Sequence, residues 1–450
     1  MKFGSVLVVF GLAAASFAQD ALPRRGMLGL PLAQVGEDAR KAAGLGDAFG
    51  ILISDEPKQG NQGELKKGDV IVEVGGRTFQ SVAQFNEALR PALAKSETEV
   101  AFIRSGQKLK TTVKVLPKPA DEGPNHTTIY DHVVSNGTRI RTFVTKPKNL
   151  EGRRPVLFWI QGINASTVEA PLGANNYITN VLRPFSDEGW VTVRVEKEGV
   201  GDSEGRPALL VDFLSEVDIY RQALKKLDSY DFVDRDRVYV FGHSMGGCHA
   251  PIVCSEFPVK GIATWGTVSM SWLEWQVRSP RIQGPLGGTP ESEIDKQVRQ
   301  DTAFYHFLYN ERRSIDWIVE NRPELAEAAR AQSPDGVMLG IRSIEYMRQC
   351  NDQNYAAHWE KVPNGKVIAF FGADDFIALK EDQTQVAAIV NRVRPGAAEY
   401  REVPGTDHLF RKTESFQDSY DKLGGKPSEF NPVVVEELKK WIESVEKGSI

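Results

Sequence analysis

Ser244 is the residue of this chain best placed to act as a nucleophile. It lies in "VYVFGHSMGG" (238–247), where a β-branched, aromatic run ends and glycines stand two positions to either side. A strand that turns directly into a helix forces such a serine into strained backbone angles, and the flanking glycines permit the close packing. The hydroxyl is then exposed at the positive end of the following helix. A serine hydroxyl is a weak nucleophile at neutral pH, so it needs a base that is itself oriented by an acid. Seven histidines are available. His243 adjoins the serine and points away from it, His249 falls on the helix behind, and His126 and His132 precede the main run of strands. His306 and His358 sit in a long aromatic segment without acidic loops beside them. His408, in "YREVPGTDHLF", follows a late strand and a Pro404-Gly405 turn, and is the expected base. For the acid, "KVIAFFGADDFIAL" supplies Asp374 and Asp375 directly after an apolar strand.

Those residues are scattered over some 160 positions, so the elements between them must make them converge. From His126 onward two strands flank Asn136-Gly137, a strong hairpin signal. Short apolar runs then alternate with amphipathic stretches: "PVLFWIQG", "WVTVRVE", "RVYVFGHS", "GIATWGT", "KVIAFFGA" and "AEYREVPG". Nearly uninterrupted apolar strands with helices between them predict a mostly parallel sheet covered on both faces. Ligands at such sheets collect outside the carboxyl ends of the strands.

Residues 126–447, with "GHSMGG" at the corner and "EKEGVGDSEGRP" (196–207) after the third parallel strand, resemble the α/β-hydrolases. The resemblance implies the chain order Ser244, Asp375, His408, the family's G-x-x-D spacing from Gly372 selecting Asp375 over Asp374. It also implies an oxyanion hole made by the Met245 N–H and, because "QGIN" stands where the family has His-Gly-x-x, the Ile163 N–H. Asn164 either assists there or shapes the turn, and Asp202 and Ser203 read as loop-organising. Residues 267–365, rich in aromatics and carrying helical periodicity, correspond to a helical cap over the site, most aromatics forming the cap's own core and any that face Ser244 lining an apolar pocket.

The first third is different. In 25–116 a short strand "VIVEV" leads to the hairpin signal Gly75-Gly76, and Ser81 caps a helix with Val82, Phe85 and Leu89 on one face. "MLGLPL" (27–32), "LKKGDVIVEVGG" and "RSGQKLKTTVKVL" resemble a PDZ domain of the kind found in exported bacterial proteases, although "KQGNQGEL" replaces the segment that usually precedes the Gly-Asp turn. The resemblance implies that backbone amides around Leu28, Gly29 and Leu30 receive the carboxylate of a C-terminal peptide that adds as a strand, with Arg24 and Arg25 supplying charge nearby. Residues 117–125, "PKPADEGPN", read as the linker.

Composition bounds the rest. The chain has 450 residues, 41% hydrophobic and 26% charged, enough for two or three domains, and its net charge of −5 gives no basic excess to suggest nucleic acid or an anionic membrane as partner. Residues 1–18 carry Lys2, an apolar run and a Ser16-Phe17-Ala18 cleavage pattern, which reads as a removed export signal with no stable membrane anchor. That predicts a secreted or periplasmic protein. Cys248, Cys254 and Cys350 are an odd set, expected as buried hydrophobes rather than a disulfide framework. No H-E-x-x-H, zinc-spaced Cys pair or Walker loop occurs, so no metal and no cofactor is expected. The sequence therefore predicts an α/β-hydrolase fold with a helical cap, preceded by a small β-rich PDZ-like domain. The expected activity is a serine hydrolase acting on a small carboxylic ester. The alternatives are a serine peptidase of the prolyl-oligopeptidase type and a peptide-binding protein on a hydrolase scaffold.

Overall fold

The computed structural model describes residues 21–46, 48–57, 63–169 and 176–448. The expected export signal, 1–18, and most of the atypical segment before the Gly-Asp turn fall outside those residues.

The N-terminal sheet is antiparallel, in the order β1 (Leu32–Gln34), β2 (Ile51–Ile53), β3 (Val70–Val74), β4 (Glu97–Arg104), β5 (Gln107–Lys114). Gly75 and Gly76 both take positive φ, 57° and 75°, to turn the chain after β3. Helix α1 (Val82–Leu89) starts where the Ser81 hydroxyl accepts the Gln84 N–H. Ile53, Ile71, Phe79, Phe85, Phe102 and Val113 make a core of its own beneath the sheet. β1 is an outer strand, and the loop 28–31 enters it directly.

The second sheet has eight strands. They are β6 (His126–Ser135), β7 (Thr138–Pro147), β8 (Arg154–Ile160), β9 (Val191–Val195), β10 (Val233–His243), β11 (Gly261–Trp265), β12 (Lys366–Gly372) and β13 (Ala398–Val403). Their spatial order is β13-β12-β11-β10-β8-β9-β7-β6. β6 and β7 form the hairpin about Asn136 and Gly137, both at positive φ, and every pair from β9 to β13 is parallel. Strand alternation sends Val156, Phe158, Val238 and Val240 to one face and Leu157, Trp159, Tyr239 and Phe241 to the other. Helices α3 (Phe213–Lys226), α4 (Met245–Cys254) and α7 (Lys380–Val393) cover the first face; α2 (Tyr177–Asp187) and α8 (Val433–Glu446) cover the second. Both faces are therefore dry, which is why these strands read as unbroken apolar runs. The chain leaves β8 toward β9 and returns past β8 to β10, so the strand order reverses between the ends of β8 and β10, where a ligand crevice opens.

Between β11 and β12 lies the helical insertion, beginning with α5 (Trp272–Leu286) and α6 (Glu291–Tyr305). Ser271 and Glu274 close a capping box at the start of α5. Tyr305, Tyr309, Tyr346, Tyr355 and Trp359 are buried, but in one cluster with Phe158, Val240, Phe213 and Val386 rather than in a core of the cap's own, because the insertion packs onto the helices of the sheet's first face.

The two domains meet at Asp202. Its buried carboxylate accepts the Arg25 N–H (2.8 Å) and Arg141 Nε (3.1 Å), with Arg24 3.2 Å away, while Glu169 pairs with Arg24 (2.6 Å) and Lys118 (2.7 Å). Arg90 of the first domain donates to Ser203 O at 2.8 Å. Of the two cations expected beside a peptide carboxylate, Arg24 is thus engaged by the second domain's acids, while Arg25 meets Asp202 only through its backbone and turns its guanidinium to Arg90 O. The three cysteines are free and buried. No helix among the described residues is long and apolar enough to cross a membrane.

Candidate active site

The corner after β10 is as tight as its glycines suggest. Ser244 adopts φ 54° and ψ −124°, a region non-glycine residues rarely occupy. A Cβ on Gly242 would lie 2.5 Å from Gly246 O, and one on Gly246 would lie 2.2 Å from Ile160 O, so both positions exclude any side chain. Ser244 N donates to Trp265 O (2.8 Å), pinning the corner to the end of β11. Residue 266 must then be glycine: at φ +59°, its Cβ would stand 2.8 Å from both Asp375 Oδ2 and His408 Nδ1.

His408, on the loop after β13, donates from Nδ1 to Asp375 Oδ2 at 2.8 Å. That tautomer leaves Nε2 as the lone-pair nitrogen. The other oxygen of Asp375 accepts the N–H groups of Ile377 (2.9 Å) and Ala378 (2.8 Å), so a buried carboxylate is held from both ends. Burial opposes the imidazolium of His408, but the adjacent Asp375 charge and hydrogen bond outweigh it, and its pKa lies above the usual 6.5. Asp374 instead accepts the Thr413 hydroxyl at 3.0 Å and does not meet the imidazole in any hydrogen bond.

Ser244 and His408 line one cavity of about 320 Å³. Met245 and Ile163 line it too, and neither of their amide N–H groups donates to an acceptor among the described residues. Gly162 packs against the corner, its Cβ position 3.1 Å from Ser244 Cβ. Gln161 Nε2 donates to Asn164 Oδ1 (2.6 Å) and Ser166 O (3.0 Å), and Asn164 donates to Tyr177 OH (3.3 Å). Asn164 therefore shapes the turn. The insertion contributes Trp272, Trp275, Leu339, Ile341 and Met347 to the cavity wall, and the polar side chains it adds are Gln276 and Gln332. No carboxylate, ammonium or guanidinium lines it among the described residues.

Sequence reasoning set His243 aside because it points away from Ser244. It does, and in doing so it donates from Nε2 to His408 O at 2.8 Å, its ring 5.0 Å from the His408 ring. Burial pulls its pKa down to about 3, so it is a neutral strut under the His408 loop. The signal was strand alternation: the residue before the corner faces the opposite side of the sheet, where that loop passes. Lys197, Glu216 and Arg342 were also missed; they form a buried ionic cluster behind Ile163. In the first domain Leu28 is buried in the core, Gly29 turns at φ +66° and Leu30 is half-buried, directly ahead of β1.

A strand-turn-helix serine sharing one cavity with an Asp-His pair, at the carboxyl ends of a mostly parallel sheet, defines the α/β-hydrolase class. Residues 170–415 match the alpha/beta hydrolase family, more than half the chain, and the protein belongs to that family. Residues 50–115 match the PDZ domain. The chain is similar to a probable periplasmic serine endoprotease DegP-like of Rhizobium meliloti (strain 1021), 30% identical over 131 residues, 26% of this chain and 25% of that protein. It is also similar to the quorum-quenching protein AidA of Acinetobacter baumannii (strain MDR-ZJ06), 33% identical over 72 residues, 16% of this chain and 24% of that one. The chain thus spans about a quarter of the length of these curated relatives. Among solved structures it is similar to Est1E from Butyrivibrio proteoclasticus with ferulic acid bound (15% identity, TM-score 0.41, 65% of this chain and 95% of that one).

Proposed function

We propose that this protein is an exported serine hydrolase that cleaves a carboxylic ester, or a related acyl bond, through an acyl-enzyme on Ser244. The observation that carries the reading is the buried Asp375–His408 hydrogen bond of 2.8 Å, with His408 and Ser244 lining one apolar cavity. His408 Nε2 takes the Ser244 proton as Oγ bonds to the acyl carbon, and the proton then passes to the leaving alkoxide as the ester C–O bond breaks. Water, deprotonated by the same nitrogen, releases the acid and restores the serine. The Met245 and Ile163 amides receive the oxyanion in both halves, and Asp375 supports the imidazolium.

A neutral substrate fits the cavity better than a peptide amino terminus, because no carboxylate among the described residues lines it to receive an ammonium. Export rests on the residue pattern of 1–18 and on the partial similarity to a DegP-like protein. The PDZ loop at Leu28, Gly29 and Leu30 is proposed to take the carboxylate of a C-terminal peptide.

The test is labelling with a fluorophosphonate, followed by turnover of p-nitrophenyl acyl esters against aminoacyl and prolyl amides. An adduct on Ser244 with ester turnover is expected; a folded protein that takes no label at Ser244 would refute the enzyme, and faster cleavage of amides would make it a peptidase.

A further inference from the structure

Behind the oxyanion loop lies a buried ionic cluster that the reaction above does not use. Lys197, in the loop after β9, pairs with Glu216 of α3 at 3.0 Å, and Arg342 of the insertion pairs with the same carboxylate at 2.6 Å. The three side chains are at most 1% exposed. Burying such charges is expensive, and apolar residues of similar volume would generally serve stability as well. What apolar residues could not do is hold backbone carbonyls, of which the cluster holds three: Val211 O, which accepts Arg342 Nη2 at 2.9 Å, and two in the oxyanion loop. Lys197 Nζ donates to Gly162 O at 2.6 Å, and Arg342 Nη1 donates to Ile163 O at 2.9 Å.

Gly162 O and the Ile163 N–H belong to one peptide unit. No peptide bond among the described residues is cis, and in a trans peptide the C=O and N–H point in opposite directions. Fixing Gly162 O on a buried ammonium therefore fixes the direction of the Ile163 N–H on the other side, toward the cavity that Ile163 shares with Ser244. The second donor is set the same way: Ser244 O, in the peptide that carries the Met245 N–H, accepts the Gly247 N–H at 2.9 Å. One oxyanion amide is thus oriented by a helical turn and the other by a lysine.

We propose that Lys197, with Arg342 beside it, is a positioning residue for the oxyanion hole: it aims and polarises the Gly162–Ile163 peptide for the transition state. The inference rests on the serine-hydrolase reading of the site. The charge balance supports it. Two cations share one carboxylate, because burial keeps the neighbouring His249 neutral, its pKa pulled down to about 4. A net positive charge in a dry site, one peptide away from a developing oxyanion, favours the charged transition state over the neutral ester. Desolvation also draws Lys197 down to about 8 against the pull of Glu216. The groups facing it are Glu216, Arg342, His249 and Cys350, with Tyr346 against Glu216; the tyrosine and the thiol are pushed up by burial and stay neutral through that range. Raising the pH through about 8 therefore removes the cluster's excess charge.

The experiment is Lys197→Met in the full chain, assayed on a p-nitrophenyl ester alongside native protein. The expected result is a kcat about 100-fold lower, the scale of losing one oxyanion donor, with KM within about twofold. A boronic acid, which forms a tetrahedral adduct on serine, should weaken by a similar factor. Native kcat should decline above pH about 8, and the variant should show no such limb. Unchanged kcat in a folded variant, or kcat lowered without any weakening of the boronate, overturns the proposal. Should Lys197→Met not fold, Lys197→Arg keeps the charge at all accessible pH; retention of a limb near 8 in that variant overturns it equally. Fluorophosphonate labelling separates the two failures: no adduct on native Ser244 removes the hydrolase reading, whereas equal labelling rates in native and Lys197→Met protein remove the positioning role alone.

Discussion

In our reading the molecule offers backbone amides to an anion in two places, and it builds them very differently. The amides of Ile163 and Met245 sit at the ends of buried strands, backed by a dry ionic cluster and by glycines that no side chain could replace. The loop of Leu28, Gly29 and Leu30 sits at the rim of a small sheet, with one residue of positive φ, and Leu28 joins a core of eleven other buried side chains beneath it. The contrast follows from what each anion needs. A transition state lives too briefly for its surroundings to reorganise, so its donors must already be aimed. A peptide carboxylate persists, and a strand that adds along an edge can tolerate adjustment. Rigidity is concentrated where the charge is transient.

The largest effect should come from removing the nucleophile. Ser244→Ala should lower ester turnover by about five to six orders of magnitude while the far-UV circular dichroism stays unchanged, since only the hydroxyl is lost. Residual turnover above about one part in a hundred would mean that the strained corner is not where the chemistry happens.

Next is the acid. Asp375→Asn should cost about three to four orders of magnitude in kcat. It should also move the pH profile in a defined direction. His408 acts as base only when neutral, so native activity falls as pH drops through its pKa, which Asp375 holds above 6.5. Without that carboxylate's charge, burial dominates and the acid limb moves to lower pH. A limb that stays in place would separate His408 from Asp375. The same substitution at Asp374, which engages Thr413, should leave the limb where it is.

A smaller effect, on stability, is expected at the junction of the two regions. Asp202→Asn takes the charge from a carboxylate that buried Arg141 and half-buried Arg24 both face. Leaving a buried guanidinium without its partner typically costs about 3–5 kcal/mol, some of it recovered here because Arg141 also donates to the carbonyls of Asp131 and Leu22. We expect a destabilisation of about 3 kcal/mol in urea unfolding, with the PDZ domain becoming more susceptible to proteolysis. A single transition with an unchanged midpoint would show that the junction holds by packing rather than by charge.

The difference between the two regions also governs what the sequence discloses. The elbow, the alternating apolar runs and the Asn136-Gly137 hairpin are legible because local backbone geometry restricts the residue types. Family spacing favours Asp375 over Asp374 as the acid, a choice the Asn substitutions above are designed to test. Lys197, Glu216 and Arg342 are not legible. Charged residues read as solvated faces, and nothing local reveals that three of them from a loop, a helix and the insertion meet in the dry interior. The direction of His243 is legible but its consequence is not, because what it touches, His408 O, is 165 residues away. Arg24 shows the converse: a cation beside a ligand loop suggests a ligand, but the adjacent domain supplies Glu169 and Asp202 first.

The smallest effect tests the looser of the two amide sites. Gly29 holds φ +66°, where a side chain costs about 1 kcal/mol or slightly more. Gly29→Ala should therefore shift the loop rather than unfold the sheet, whose core lies on residues such as Ile53, Phe85 and Phe102. Measured against a library of peptides with free C-terminal carboxylates, affinity should fall about fivefold, the equivalent of 1 kcal/mol. Amidating the peptides should cost more than the substitution does, because it removes the charge that the amides receive. If free and amidated peptides bind native protein alike, the edge of β1 recognises something other than a chain terminus, and the likeness between the two amide sites ends there.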